Sequence, residues 1–147
     1  MALFTATKIA QGQPPISGGQ AGVVVCNEGS YEVPATLAGN DIVKLAYLPA
    51  GHKPVDVILE SDDLDEATAL ALSVGVVNAG GDDLVANTNF ITSSTVGQAG
   101  GVARASVVAG LQLAPSGSDR VIGVKVATVA TTPAAGTLCL KVLSVPA

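Results

Sequence analysis

The residues able to do chemistry are few, and their spacing is uneven. Eight of the twelve carboxylates (Asp56, Glu60, Asp62, Asp63, Asp65, Glu66, Asp82 and Asp83) fall in one stretch that contains no Lys or Arg. Its densest part, Glu60-Ser61-Asp62-Asp63-Leu64-Asp65-Glu66, offers hard oxygen ligands of the kind that hold Ca²⁺. The central Gly and terminal bidentate Glu of an EF-hand loop are missing, and no spacing marks two carboxylates as an acid/base pair. The stretch reads as a solvated turn that keeps a strand end polar. His52, the sole imidazole, is the one base a nucleophilic triad could use. No Gly-x-Ser-x-Gly elbow accompanies it, so it reads as a surface or interface hydrogen-bonding group. Gly97-Gln98-Ala99-Gly100-Gly101 looks like a phosphate cradle but lacks the following Lys-Ser/Thr. A flexible loop whose glycines take positive φ is the simpler reading.

Cys26 and Cys139 lie in Val23-Val24-Val25-Cys26 and Leu138-Cys139-Leu140. In such surroundings they read as two small buried hydrophobes. There is no CxxC, and one His cannot complete a Cys/His zinc site. No catalytic, cofactor-binding or metal-ligating residue is therefore assigned, and no cofactor is expected.

The elements that would position any site follow a period of two. In Thr68 to Val76, Leu70, Leu72, Val74 and Val76 share one face while Ala69, Ala71, Ser73 and Gly75 share the other. This is the pattern of a half-buried strand; its small face would let another layer or subunit approach closely. Arg120 to Ala127 places Ile122, Val124 and Val126 together, and Thr137 to Val145 does the same for Leu138, Leu140 and Val142. Val55 to Glu60 alternates with Ile58 interrupting its polar face. Leu3 to Ile9, Gly22 to Cys26, Asp41 to Leu48 and Ala105 to Leu113 are further strand candidates. Pro14-Pro15, Gly18-Gly19, Pro49-Ala50-Gly51, Gly80-Gly81-Asp82-Asp83, Gly100-Gly101, Pro115-Ser116-Gly117 and Pro133-Ala134-Ala135-Gly136 supply turns between them. About eight short strands at this spacing predict an all-β single domain, a β-sandwich or jelly roll over 21–147. Residues 1–20 read as an extended N-terminal arm with a Pro/Gly-rich joint.

The 147 residues suit one domain, and 48% hydrophobic content rules out intrinsic disorder. With 3% aromatics and no Trp, the core must be aliphatic. Seven scattered Lys and Arg and a net charge of −5 argue against direct nucleic-acid binding and against anionic lipid. Mean hydropathy is +0.51. Yet the uncharged run from Leu84 to Ala103 is too rich in Asn, Thr, Ser and Gln for a membrane span. The start, Met1-Ala2-Leu3-Phe4-Thr5, lacks the basic region and apolar block of a secretory signal. Charged residues total 13%, about half of the roughly 25% usual in soluble domains. Much of the surface must then be Ala, Val, Gly, Ser and Thr, and such surfaces present apolar patches that mark protein–protein contact.

Two segments carry a resemblance. Leu48-Pro49-Ala50-Gly51-His52-Lys53-Pro54-Val55-Asp56-Val57-Ile58-Leu59-Glu60-Ser61-Asp62-Asp63-Leu64-Asp65 resembles a segment of small virion proteins of tailed bacteriophages. Phe90-Ile91-Thr92-Ser93-Ser94-Thr95-Val96-Gly97-Gln98-Ala99-Gly100-Gly101-Val102-Ala103-Arg104-Ala105 resembles a second segment of the same proteins. The family is that of head decoration, or capsid cement, proteins. The resemblance implies a non-enzymatic structural virion protein, made in the host cytoplasm, that binds the outer capsid surface and stabilises the shell. Its partners would be the major capsid protein and further copies of itself, as a homo-oligomer (dimer or trimer), with no nucleic acid and no membrane. A carbohydrate-binding jelly roll and a tail or collar structural protein are the alternatives. The first is disfavoured by the scarcity of aromatic platforms: Phe4, Tyr31, Tyr47 and Phe90 are all there are.

Overall fold

Alternating apolar residues build most of the strands in the computed structural model, which describes residues 2–12, 14–15 and 23–147. Nine strands form among the described residues: β1 Leu3–Thr5, β2 Val25–Val33, β3 Ile42–Leu48, β4 His52–Ser61, β5 Ala71–Val76, β6 Ile91–Ser94, β7 Gly101–Arg104, β8 Arg120–Thr128 and β9 Gly136–Pro146. One sheet has the order β1-β3-β8-β5-β6 and the other β2-β9-β4-β7. From β2 onward the chain changes sheet at every connection except β5 to β6. This is the jelly-roll form of the all-β sandwich. All pairings between named strands are antiparallel except β1 with β3, where Leu3, Phe4 and Thr5 run parallel beside Ile42, Val43 and Lys44.

The core lies between the sheets and is aliphatic, as the composition requires. Leu48, Leu59, Leu72, Ile122, Val124, Leu138, Leu140 and Val142 are all fully buried, and Phe90 is the one ring among them. The in-facing residues of β8 and β9 are those their period-two pattern marks. The face of β5 carrying Leu72, Val74 and Val76 also points into the core.

Several expectations need correction. Strand β5 is buried on both faces, not one. Segment 77–90 folds across its small-residue side, so that a Cβ on Gly75 would crowd Asn89 and Leu84, and one on Gly123 would crowd Val77. The close-approaching layer is therefore the chain's own loop. The Leu3 to Ile9 candidate divides into β1 and a helical turn, α1, Thr7–Ala10. The break falls at Ala6, which is buried and donates its N–H to the Lys44 carbonyl at 2.8 Å. Ala105 to Leu113 is not a strand: it holds the helical turn α2, Val108–Leu111, where Gly110 packs directly against the Asn89 carbonyl. The strand of that region is β7, just before it, and β6 is a further strand that the period-two pattern does not mark. Of the Gly22 to Cys26 candidate, Gly22 lies outside the described residues, and the strand starts at Val25 and continues to Val33.

Candidate interaction face

The acidic stretch is spent on architecture. Ser61 ends β4, and the carboxylates beyond it receive backbone N–H groups. Asp62 Oδ2 accepts Thr137 N–H at 2.8 Å, and Asp63 Oδ1 accepts Asp65 N–H at 3.2 Å. Asp65 is fully buried, which corrects its reading as part of a solvated turn. Its Oδ1 accepts Ala67 and Thr132 N–H at 3.1 and 2.9 Å, and its Oδ2 accepts Ala69 and Leu70 N–H at 2.9 Å each. Burial pushes this carboxyl up, but the four N–H groups outweigh it and hold it well below the ordinary carboxylate range. Among the described residues, no three His, Cys, Asp or Glu side chains converge as a metal site.

His52 is buried, not a surface group. It points inward from the start of β4, with Nδ1 3.0 Å from Ser144 Oγ on β9. Arg120 reaches its carbonyl at 3.4 Å. The Gly97 loop forms a short 3₁₀ turn, Val96–Gln98. Gly100 and Gly101 have φ of +79° and +142°, as the loop reading expected, whereas Gly97 is wedged against Leu70.

Both cysteines are corrections too. Alternation along β2 turns Cys26 outward, where it is exposed, and β9 likewise turns Cys139 to the outer side, where it is half-buried. Both thiols are free. In the ladder Cys26 stands opposite Leu143, while Cys139 stands opposite Ser30, so they are not neighbours. The Cys139 S–H donates to Glu28 Oε1 at 3.3 Å. Burial first, and then the Glu28 carboxylate, raise its thiol to about 11.

These cysteines belong to the feature that best qualifies as functional, the outer face of the β2-β9-β4-β7 sheet. The two sheets differ in how their outer faces are treated. The five-stranded sheet is covered by segment 77–90, fastened by Val77 N–H to the Val121 carbonyl and by Lys125 Nζ to Asp83 Oδ1 at 2.6 Å. The Lys125 side chain beside it lowers the Asp83 carboxyl, helped by the Leu84 N–H. No comparable segment crosses the four-stranded sheet among the described residues. Ile58, Leu143, Val102 and Cys26 point out from it, with Val102 64% exposed. Two ion pairs flank these apolar residues: Arg104 with Asp56, and Lys141 Nζ with Glu60 Oε1 at 2.6 Å. The hydrogen bond that the Lys141 ammonium donates to Glu60 raises its pKa. Partly exposed pairs of this kind add at most about 1 kcal/mol to stability. Together they make a mosaic of charged and apolar groups, a composition like that of protein–protein contact surfaces.

The fold defines an all-β sandwich of jelly-roll topology. Comparison with known structures agrees. A chain in the capsid of Ralstonia phage GP4 superposes with a TM-score of 0.87 at 33% sequence identity, covering 99% of this chain and 98% of that one. A chain in the cyanophage Pam1 capsid asymmetric unit matches with a TM-score of 0.69 at 28% identity, over 92% and 96% of the two chains. A chain in the acidic stable capsid of Helicobacter pylori bacteriophage KHP30 shares the fold, with a TM-score of 0.55 at 16% identity. No family model and no curated protein matches the sequence. The identity and near-complete coverage of the GP4 match are decisive: the chain belongs to a family of bacteriophage capsid-associated proteins, with a structural role in the virion.

Proposed function

We propose that this protein is a decoration, or cement, protein that binds the outside of a tailed-phage capsid and braces the shell. The end-to-end match to the GP4 capsid chain carries the reading. The open, charged and apolar sheet face supports it, because a protein that touches several shell subunits needs a stiff surface more than a deep pocket. The partner is the major capsid protein of the same virion, and the chain acts as a homo-oligomer, a dimer or trimer, so that many modest contacts add up through avidity. The N-terminal segment 1–20, of which 1, 13 and 16–20 lie outside the described residues, is the proposed arm. Leu3 to Thr5 form the edge strand β1 beside β3, with Ala2 N–H on Asp41 Oδ1 at 2.7 Å, and an N-terminal segment at the sheet edge suits bracing across a seam.

The experiment is reconstitution. Particles lacking the chain are expected to release DNA at a lower temperature than complete particles, and purified chain is expected to restore the difference. Residues 21–147 alone are expected to restore less. Particles indifferent to the chain would remove the cement reading, and full rescue by 21–147 would remove the arm.

A further inference from the structure

Segment 77–90, which covers the outer face of the five-stranded sheet, leaves a cleft of about 350 Å³ where it meets that face. The volume is at the small end of the roughly 300–1,000 Å³ usual for ligand sites. Its polar lining comes from distant parts of the chain. Asp83, Asn87 and Asn89 come from the segment, Ser73 and Lys125 from β5 and β8, and Asn40 from the turn before β3. Among the described residues, the side-chain amides of Asn40, Asn87 and Asn89 have no hydrogen-bonding partner. Three amides with open donors and acceptors thus border one cleft.

The walls are fixed by the protein's own hydrogen bonds. Asn40 N–H donates to the Val126 carbonyl at 2.9 Å, and Val85 N–H to the Val76 carbonyl at 2.7 Å. Thr88 Oγ1 donates to the Val85 carbonyl at 2.7 Å, and Asn78 Oδ1 accepts Asp82 N–H at 3.1 Å. Asn40 and Asn87 have φ of +68° and +60°. Ser93, the third non-glycine residue at positive φ among the described residues, gives its N–H to Ser73 Oγ at 3.0 Å. Uncommon backbone of this kind gathers at ligand clamps, and Asn takes it at less cost than other side chains.

Lys125 is neutralised by Asp83, so the cleft carries no net charge and does not select an ion. An amide both donates and accepts, as a hydroxyl does. Beside the amides, Leu84 and Val85, the latter 40% exposed, offer C–H surface. Hydroxyl groups on an apolar ring frame are the complement of this lining. A peptide strand finds no ladder here, because β5 and β8 each pair on both sides within the sheet. We infer that this cleft binds a neutral saccharide, with Asn40, Asn87 and Asn89 as its hydrogen-bonding residues. No aromatic ring lines it, so a single cleft binds weakly. The site itself stands apart from the cement reading; its use through the avidity of many copies rests on that reading.

The test is nuclear magnetic resonance of the asparagine side-chain amides in the isotope-labelled chain, and its outcome is independent of capsid binding. The probes are D-glucose, D-galactose, D-mannose and N-acetyl-D-glucosamine, with D-glucuronate as the charged counterpart. At least one neutral sugar is expected to shift the Asn40, Asn87 and Asn89 signals saturably, with Kd on the order of 1–10 mM. Asn40→Gly/Asn87→Gly retains the positive φ and removes both amides. It should bind at least about tenfold more weakly, as the loss of two hydrogen bonds requires. Circular dichroism establishes that it folds; if it does not, Asn87→Gly alone, at an exposed position, should weaken binding about fivefold. Absence of a saturable shift with all four neutral sugars up to about 100 mM, shifts with glucuronate alone, shifts confined to residues outside the cleft, or a folded variant that binds like the wild type would each overturn the inference.

Discussion

Asp65 Oδ1 accepts the backbone N–H of Thr132, 67 residues further along the chain, at 2.9 Å. Together with the N–H groups of Ala67, Ala69 and Leu70, it fastens the β4–β5 connection to the β8–β9 connection. Both carboxylate oxygens take two N–H groups each, and Asn offers one acceptor in place of two. Asp65→Asn is expected to leave two buried N–H groups facing an amide and to lower Tm by roughly 10 °C. A melt unchanged within 2 °C of wild type would contradict this role.

The same carboxyl sets an acid dependence. Its folded pKa lies below the unfolded value of about 4, so the unfolded chain binds the proton first as pH falls. The stability Asp65 contributes is present at neutral pH and declines as pH drops below about 4. Urea melts at pH 7 and pH 3 should show this loss, and the loss should be smaller in Asp65→Asn. An equal loss in both proteins would assign the acid response to other groups.

The two sheets approach each other closely at Gly29. A Cβ built there runs into the Leu45 carbonyl oxygen, at the bulge of β3 between Lys44 and Ala46. Backbone cannot yield as a flexible side chain can, so Gly29→Ala should cost about 3 kcal/mol or prevent soluble expression. Gly39 has open space around it, and Gly39→Ala should change stability by less than about 0.5 kcal/mol. Chemical denaturation of the pair is the test.

How much of this was legible in the sequence differs by element. Ile122, Val124 and Val126 in β8, and Leu138, Leu140 and Val142 in β9, declare their buried face because every second residue is large and apolar. Strand β2 hides its inward face because Asn27 and Gly29 occupy it: one is a polar residue, the other a glycine with no side chain to count. Val108 to Leu111 looks as apolar as any strand, yet it forms a helical turn whose Gly110 packs on the Asn89 carbonyl, a contact remote in the chain. Ile58 was visible as an apolar residue on a polar face. Its neighbours were not, because the ladder register that brings Arg104 and Lys141 beside it depends on pairings 46 and 83 residues apart. The burial of His52 and Asp65 is silent in the sequence for a related reason: Ser144 and Thr132, which they meet inside, are remote in the chain.

The two free thiols should differ sharply in reactivity. Cys26 is exposed, whereas the Cys139 thiol is half-buried and raised to about 11 by burial and the neighbouring Glu28. The thiolate is the nucleophile, so iodoacetamide at pH 8 should label Cys26 first, with Cys139 slower by at least tenfold. Glu28→Gln removes the charge beside the thiol and should speed Cys139. Equal rates at both cysteines, read by peptide mass spectrometry, would contradict the placement of Cys139.

The central claim, a lattice-bound protein of the capsid, is tested most directly by quantitative mass spectrometry of gradient-purified particles. The readout is the copy ratio of this chain to the major shell protein. A cement protein predicts a ratio near one or a simple fraction such as about one half, on the order of hundreds of copies per particle as shell symmetry requires. A few copies per particle, or about a dozen, would place the chain in a tail or collar instead, and its absence from the particles would contradict the account.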